Sequence, residues 1–249
     1  MSSLKAENLV KSYNNRPVVN RVTIEVDTAE IIGLLGRNGA GKTTTFQMIV
    51  GLIRPDEGRI FLDNEDISKY SSFRRASSGI IYLPQEHSVF LKASVEDNLK
   101  LVLELIPKKR RDWKKIATLL LEELGILNLA RQPAHTLSGG ERRKLEICRA
   151  LLIDPKFLLL DEPFTGVDPL TIIDLQKILL NLKKRGIGII ISDHNVRDTF
   201  KISDRAYIID KGELLIHGAP KEVAADERAR ERFLGKNFKL GEEIFPQSS

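Results

Sequence analysis

The sequence carries one cysteine, Cys148, in 249 residues. A single thiol excludes an intrachain disulfide and any metal site built on a cysteine cluster. Cys148 stands among Leu145, Leu151 and Leu152 at helical spacing, which predicts a place in the core. No apolar run approaches the roughly 18 to 20 residues that cross a bilayer. Met1 to Asn14 is mixed and polar, without the apolar centre of a signal peptide. These absences predict a cytoplasmic chain that touches a membrane only through partners. Charge of one sign is also scarce: 39 Lys and Arg stand against 34 Asp and Glu, a formal net charge of +5. That excess suits anionic small ligands and is too slight for a nucleic-acid footprint, so no nucleic-acid partner is expected. The one dense basic run, Lys108-Lys109-Arg110-Arg111, reads as a solvated loop, with contact to anionic lipid as the alternative. There is no internal repeat and no low-complexity segment.

What is present is an alternation of short strands and helices. Val18 to Val26, Ile31 to Leu35, Arg59 to Leu62 and Ile80 to Leu83 read as strands separated by turn signals. From about Val89 to Asp154 the apolar period changes. Val95, Leu99, Val102 and Leu103, then Ile116, Leu119, Leu120 and Leu124, recur at three and four residues, which predicts an inserted helical block. Strands at Phe157 to Leu160 and Gly188 to Ile191 then flank a helix from Pro169 to Arg185. Such alternation predicts βαβ units and a largely parallel sheet.

Two glycine loops carry the chemistry. Gly36-Arg37-Asn38-Gly39-Ala40-Gly41-Lys42-Thr43 follows the strand Ile31 to Leu35 and opens a helix, the setting a phosphate loop requires. Its glycines let backbone N–H groups curl around phosphate oxygens, and the helix N-terminus adds partial positive charge. Arg37, Asn38, Gly39, Ala40, Gly41, Lys42, Thr43 and Thr44 are the candidate nucleotide contacts. Lys42 would reach the outer phosphates and Thr43 would offer its hydroxyl to Mg²⁺. Phe157 to Glu162 delivers two carboxylates at a strand end. Asp161 suits the Mg²⁺ shell, and Glu162 suits a general base for the attacking water.

The second loop is Leu137-Ser138-Gly139-Gly140-Glu141. Ser138 and Glu141 stand in the relation of a capping box. Capping does not explain two consecutive glycines in a first helical turn, each costing about 0.5 to 1 kcal/mol relative to alanine. Close approach to an anion would explain both.

Together with Leu160-Asp161-Glu162-Pro163, these loops resemble the nucleotide-binding subunit of an ATP-binding cassette (ABC) transporter over essentially the whole chain. The resemblance implies an α/β fold: a P-loop NTPase with a RecA-like parallel sheet, an antiparallel β subdomain and a helical subdomain inserted at about 88–154. The cassette would span 1–240 and leave a weakly ordered tail at 241–249. It implies ATP hydrolysis with Mg²⁺ by a homodimer in which Ser138, Gly139 and Gly140 of one subunit close over the ATP of the other. By the same resemblance Gln85 touches Mg²⁺ and water, Asp168 bridges the subunits, His194 meets the γ-phosphate and Tyr13 stacks on adenine.

Asp193 to Asp198, Phe164 to Pro169 and Arg232 to Leu240 resemble, within that family, the ATPases of lipopolysaccharide export. This implies a place on the cytoplasmic face of the inner membrane and two transmembrane permease subunits like LptF and LptG. Those subunits would be reached through a groove near Phe90, which could instead pack within the helical lobe. Leu91 stands where a basic residue is usual. The alternatives are the ATPase of a branched-chain amino acid or urea importer, a non-transport cassette acting on ribosomes or DNA, and a nucleotide-binding regulator without turnover.

Overall fold

The computed structural model describes residues 2–86, 88–106, 110–238 and 240. Lys108 and Lys109 of the basic run, Lys239, and the tail 241–249 lie outside the described residues. The elements run β1 (Ser3–Tyr13), β2 (Arg16–Asp27), β3 (Ile31–Leu35), α1 (Lys42–Ile49), β4 (Glu57–Leu62), β5 (Glu65–Asp66), α2 (Ser72–Ser77) and β6 (Ile80–Leu83). There follow α3 (Val95–Leu103), α4 (Trp113–Glu123), α5 (Gly139–Leu151), β7 (Phe157–Asp161), α6 (Pro169–Lys184), β8 (Gly188–Asp193) and α7 (Val196–Phe200). Last come β9 (Arg205–Asp210), β10 (Glu213–Gly218), α8 (Pro220–Ala225) and α9 (Glu227–Ala229), which runs into a π-helical turn, Arg230–Leu234.

The strands form two sheets. One is six-stranded in the order β10-β9-β3-β8-β7-β6, parallel throughout except for the antiparallel edge β10. The other is antiparallel, in the order β2-β1-β4-β5. Parallel strands are covered on both faces and so read as unbroken apolar runs. In β7, Phe157 and Leu159 point to the face that packs on α1 and the antiparallel sheet, with Phe46, Met48, Leu4 and Ile24. Leu158 and Leu160, displaced by one residue, point to the helical face with Leu99, Leu145, Leu175 and Leu179. Cys148 lies in that second core, fully buried, with its thiol against the Leu120 carbonyl. Burial pushes the thiol far above the usual cysteine range, as an inert core position requires.

The inserted helices differ from expectation in one register. Val95, Leu99, Leu103 and Leu124 are buried, but Leu119 is exposed and the buried face of α4 is carried by Ala117 and Leu121. Sequence periodicity marked the helix and misplaced its inner face by about one position. Four strands, β1, β5, β9 and β10, also went unrecognised. β1 is interrupted at Asn8, whose φ of 49° breaks the pairing register between Ala6 and Leu9, so its alternation is lost. β9 is a buried run, AYII, too short to separate from helix by period.

Connections place the chemistry. The β6 to β7 crossover carries α3, α4 and α5, so the inserted helices return to the sheet beside the strand that bears Asp161. The phosphate loop, Asp161, Asp193 and the segment after β6 all leave the carboxyl ends of parallel strands, where ligands bind in open α/β sheets.

Candidate functional site

The phosphate loop is shaped by backbone contacts that admit no side chain. A Cβ on Gly36 would lie 2.4 Å from the Ile209 carbonyl oxygen, and one on Gly41 would lie 2.6 Å from that of Val18. Gly41 also has a φ of 106° and precedes α1 without a side-chain cap, so the first-turn N–H groups of α1 are not closed by their own residue. Lys42 is buried, and its ammonium donates to the carbonyls of Gly36 (2.8 Å) and Arg37 (3.2 Å). Burial pushes Lys42 below the usual lysine range, opposed by the nearby charges of Glu162, Asp161 and Asp193. Asn38, Gly39, Gly41, Lys42, Thr43, Thr44, Gln85 and Glu162 line one cleft with Val18. Six loop residues and two distant ones expected from sequence thus meet in a single place. Arg37 is exposed beside it, and Ala40 is buried beneath it.

The carboxylates are held from both neighbouring strands. Asp161 Oδ1 accepts the Ser192 hydroxyl from β8, and Oδ2 accepts the Tyr82 hydroxyl from β6 at 3.0 Å. Burial, with the Asp161 charge behind it, pushes the Tyr82 hydroxyl far above the usual tyrosine range, so it acts as a donor. Glu162 has φ 46°, a left-handed conformation unusual for a side-chain-bearing residue, and its N–H donates to the Ser192 carbonyl at 2.7 Å. Its Oε2 accepts from the Gln85 amide (3.1 Å) and the Thr165 hydroxyl (3.0 Å), and His194 Nδ1 stands 3.5 Å away. Gln85, Glu162 and His194 therefore form one cluster. Asp193, fully buried beside His194, accepts the N–H groups of Phe164 and Asn195; burial pushes its carboxyl above the usual aspartate range.

Sequence reasoning missed the residue that ties these parts together. Arg143, buried in α5, donates to the Pro84 carbonyl (3.0 Å) just before Gln85 and to the Asp161 carbonyl (2.7 Å), while pairing with Glu146 at 2.9 Å. The available signal was an Arg and a Glu three residues apart on the buried face of an amphipathic helix, where charged residues need partners. Tyr82, Ser192, Thr165 and Asp193 were missed too, since nothing in their spacing marks them.

The second glycine loop has the predicted capping box. Ser138 N–H donates to Glu141 at 2.8 Å, and Glu141 N–H to the Ser138 hydroxyl at 3.2 Å. Its glycines, however, have different reasons. A Cβ on Gly140 would lie 2.1 Å from Thr171 Cγ2, so close packing of α5 on α6 demands that glycine. The anion argument for Gly140 is therefore unnecessary. A Cβ on Gly139 would meet the Gly166 carbonyl at 3.7 Å, an ordinary contact, so nothing among the described residues demands Gly139. Thr171 is itself fixed by Asp168, which caps α6 by accepting its N–H (3.0 Å) and hydroxyl (2.5 Å). Those bonds hold the Asp168 carboxyl below the usual range. Gly139 lines a second cleft with Gln85, Arg143 and Glu162, whereas Ser138, Gly140 and Asp168 line neither.

A family model described as ABC transporter matches residues 19–165, from β2 through both carboxylates. The chain belongs to the ABC transporter family. It is 50% identical over 244 residues to the lipopolysaccharide export system ATP-binding protein LptB of Haemophilus influenzae, covering 96% of this chain and all of that protein. LptB of Escherichia coli K12 is 48% identical over 243 residues, with 96% and 100% covered. Among solved structures, an ATP-binding cassette of an ABC transporter in its ADP conformation superposes with a TM-score of 0.86 at 29% identity, covering 95% of this chain and 100% of that one. The chain is thus an ABC-type ATPase subunit with the P-loop fold and a nucleotide site.

Two expectations for this ABC subunit concern its surface. Tyr13, at the end of β1, is exposed with Lys11 Nζ 5.7 Å from its ring centre, and it does not line the phosphate cleft. Phe90 is also exposed, so the reading that packs it within the helical lobe is wrong: Val89 is the buried neighbour. Its loop is pinned by fully buried Asn98, which accepts the Phe90 N–H (2.9 Å) and donates to its carbonyl (3.0 Å). Arg149 lies 5.1 Å from the Phe90 ring centre. Leu91 is exposed beside it. A separate apolar groove is lined by Leu52, Phe73, Ala76, Tyr82 and Ile153. Among the described residues no helix is long and apolar enough to cross a membrane.

Proposed function

We propose that this chain is the ATP-hydrolysing subunit of a lipopolysaccharide exporter, working as a homodimer on the cytoplasmic face of the inner membrane. The observation that carries the cargo assignment is 48 to 50% identity over the full length of two proteins named for lipopolysaccharide export. It favours that cargo over amino acid or urea import, and over action on ribosomes or DNA. The permease subunits, of the LptF and LptG kind, would dock against the exposed Phe90 shoulder and the apolar groove, as a helix enters a groove.

The donor set suits Mg²⁺, which prefers hard oxygen ligands and keeps several waters. Asp161 presents a carboxylate oriented by two hydroxyls, Thr43 an exposed hydroxyl at the start of α1, and Gln85 an amide oxygen at the same cleft. When bound, Mg²⁺ would neutralise charge developing on the phosphates. Lys42 would turn from the loop carbonyls to the β- and γ-phosphates, and the loop's N–H groups would hold the phosphate oxygens. Glu162 would take the proton of the attacking water. All three described contacts of the Glu162 carboxylate fall on Oε2, which leaves Oε1 for that water. His194 would meet the γ-phosphate, and Tyr13 would stack on the adenine. Ser138, Gly139 and Gly140 of the other subunit would complete the phosphate shell, and Asp168 would lie between the two.

Co-purification tests the assembly: the tagged chain expressed in a Gram-negative host should bring down two membrane permeases together with lipopolysaccharide. Recovery of a solute-importer permease pair in their place would overturn the cargo assignment.

A further inference from the structure

Asp161 sits at the end of β7, between β6 and β8. Each flanking strand contributes one hydroxyl to it, and the two hydroxyls take different carboxylate oxygens: Ser192 takes Oδ1 and Tyr82 takes Oδ2. The arrangement follows from register. Ser192 is directly opposite Asp161, so a short side chain suffices on that side. On the other side the strand pairing ends with Leu83 opposite Leu160, and Tyr82 stands opposite Leu159, two residues short of Asp161. Only a long, rigid side chain with a terminal hydroxyl spans that offset. The Tyr82 ring is itself fixed, edge-on to Phe46 of α1 with 6.1 Å between ring centres and 90° between planes. Its outer side borders the groove with Leu52, Phe73 and Ile153.

We propose that Tyr82 is a positioning residue for the ATPase reaction, whose hydroxyl sets the plane of the Asp161 carboxylate and with it the affinity of the nucleotide site for Mg²⁺. The inference rests on the reading that Asp161 serves Mg²⁺. A carboxylate with one oxygen released can rotate about its terminal bond, and a metal shell tolerates such rotation poorly because Mg²⁺ demands near-octahedral geometry. Outer partners of metal-binding carboxylates commonly change affinity by about ten- to a hundredfold when removed. Here Ser192 still holds Oδ1 after Tyr82 is changed, so the expected loss lies at the lower end.

The test is the binding of a fluorescent ATP analogue to the purified full-length chain, titrated with Mg²⁺ and repeated in chelator. Tyr82→Phe keeps the ring and its packing on Phe46 and removes only the hydroxyl. The expected result is a rise of about three- to tenfold in the Mg²⁺ concentration for half-maximal enhancement of binding, with affinity in chelator unchanged. Ser192→Ala, which releases the other oxygen, should shift the same midpoint in the same direction. A Tyr82→Phe midpoint within twofold of the unaltered chain, or equal weakening with and without Mg²⁺, would overturn the proposal. Asp161→Asn separates the two failures. If it keeps the full Mg²⁺ enhancement, the role given to Asp161 is wrong and the Tyr82 inference falls with it. If it loses the enhancement while Tyr82→Phe does not, Tyr82 alone is wrongly assigned.

Discussion

The two glycine loops look alike in sequence and are held for opposite reasons. In the phosphate loop, Gly36 and Gly41 are required by backbone carbonyls of Ile209 and Val18, and Lys42, Thr43, Gln85 and Glu162 converge on one cleft of the same chain. In the second loop, Ser138 and Glu141 cap their own helix, Gly140 is required by Thr171, and Gly139 is required by nothing among the described residues. One loop is a finished site. The other is a finished helix cap with one glycine left over, and that surplus is what a second subunit would use.

The largest expected effect tests the finished site. Glu162→Gln should lower ATP turnover by about a hundredfold or more, since general bases contribute roughly 10²- to 10⁴-fold, while ATP binding persists and a dimer accumulates on gel filtration. Wild-type turnover by the variant would remove Glu162 from the role of base. Next in size is the contrast between the paired glycines. Gly140→Ala should destabilise the fold by about 1 to 3 kcal/mol through overpacking on Thr171, and Thr171→Ser, which removes the clashing methyl, should restore most of it. Gly139→Ala should leave the melting temperature equal or higher, because alanine favours helix by about 0.5 to 1 kcal/mol, yet reduce turnover. Equal melting behaviour of the two variants would erase the distinction between the loops. The smallest effect belongs to the cap. Ser138→Ala should cost about 1 kcal/mol in chemical denaturation, and Ser138→Asp, which keeps the cap, should recover stability without recovering turnover.

The same contrast shows how much was legible in the residues. The phosphate loop, both carboxylates and the strands Ile31 to Leu35 and Ile80 to Leu83 were readable because each is a local pattern whose chemistry is complete in a few residues. Asp168 and Pro169 likewise announced the start of α6, and Ser138 that of α5. What escaped depends on contacts distant in sequence. Arg143 acts through carbonyls 59 and 18 positions away. Asn98 shapes the loop that displays Phe90, and only the fold shows that Val89 is the buried neighbour. Gly140 carried a local signal, but its cause lies on α6, where Thr171 fills the space a side chain would need. Strand β1 was lost for a local reason, the left-handed Asn8 that breaks its alternation.

Mixed dimers test the central claim, that Gly139 serves the ATP of another subunit. Gly139→Glu places a carboxylate in a first helical turn, which the helix dipole tolerates and an approaching phosphate does not. Lys42→Ala disables the phosphate loop. Neither variant alone should hydrolyse ATP. Mixed in equal amounts and allowed to exchange, they should regain about a quarter of wild-type turnover, because about half the dimers are mixed and each holds one intact site. Activity no greater than that of the separate variants would mean that each loop serves its own chain.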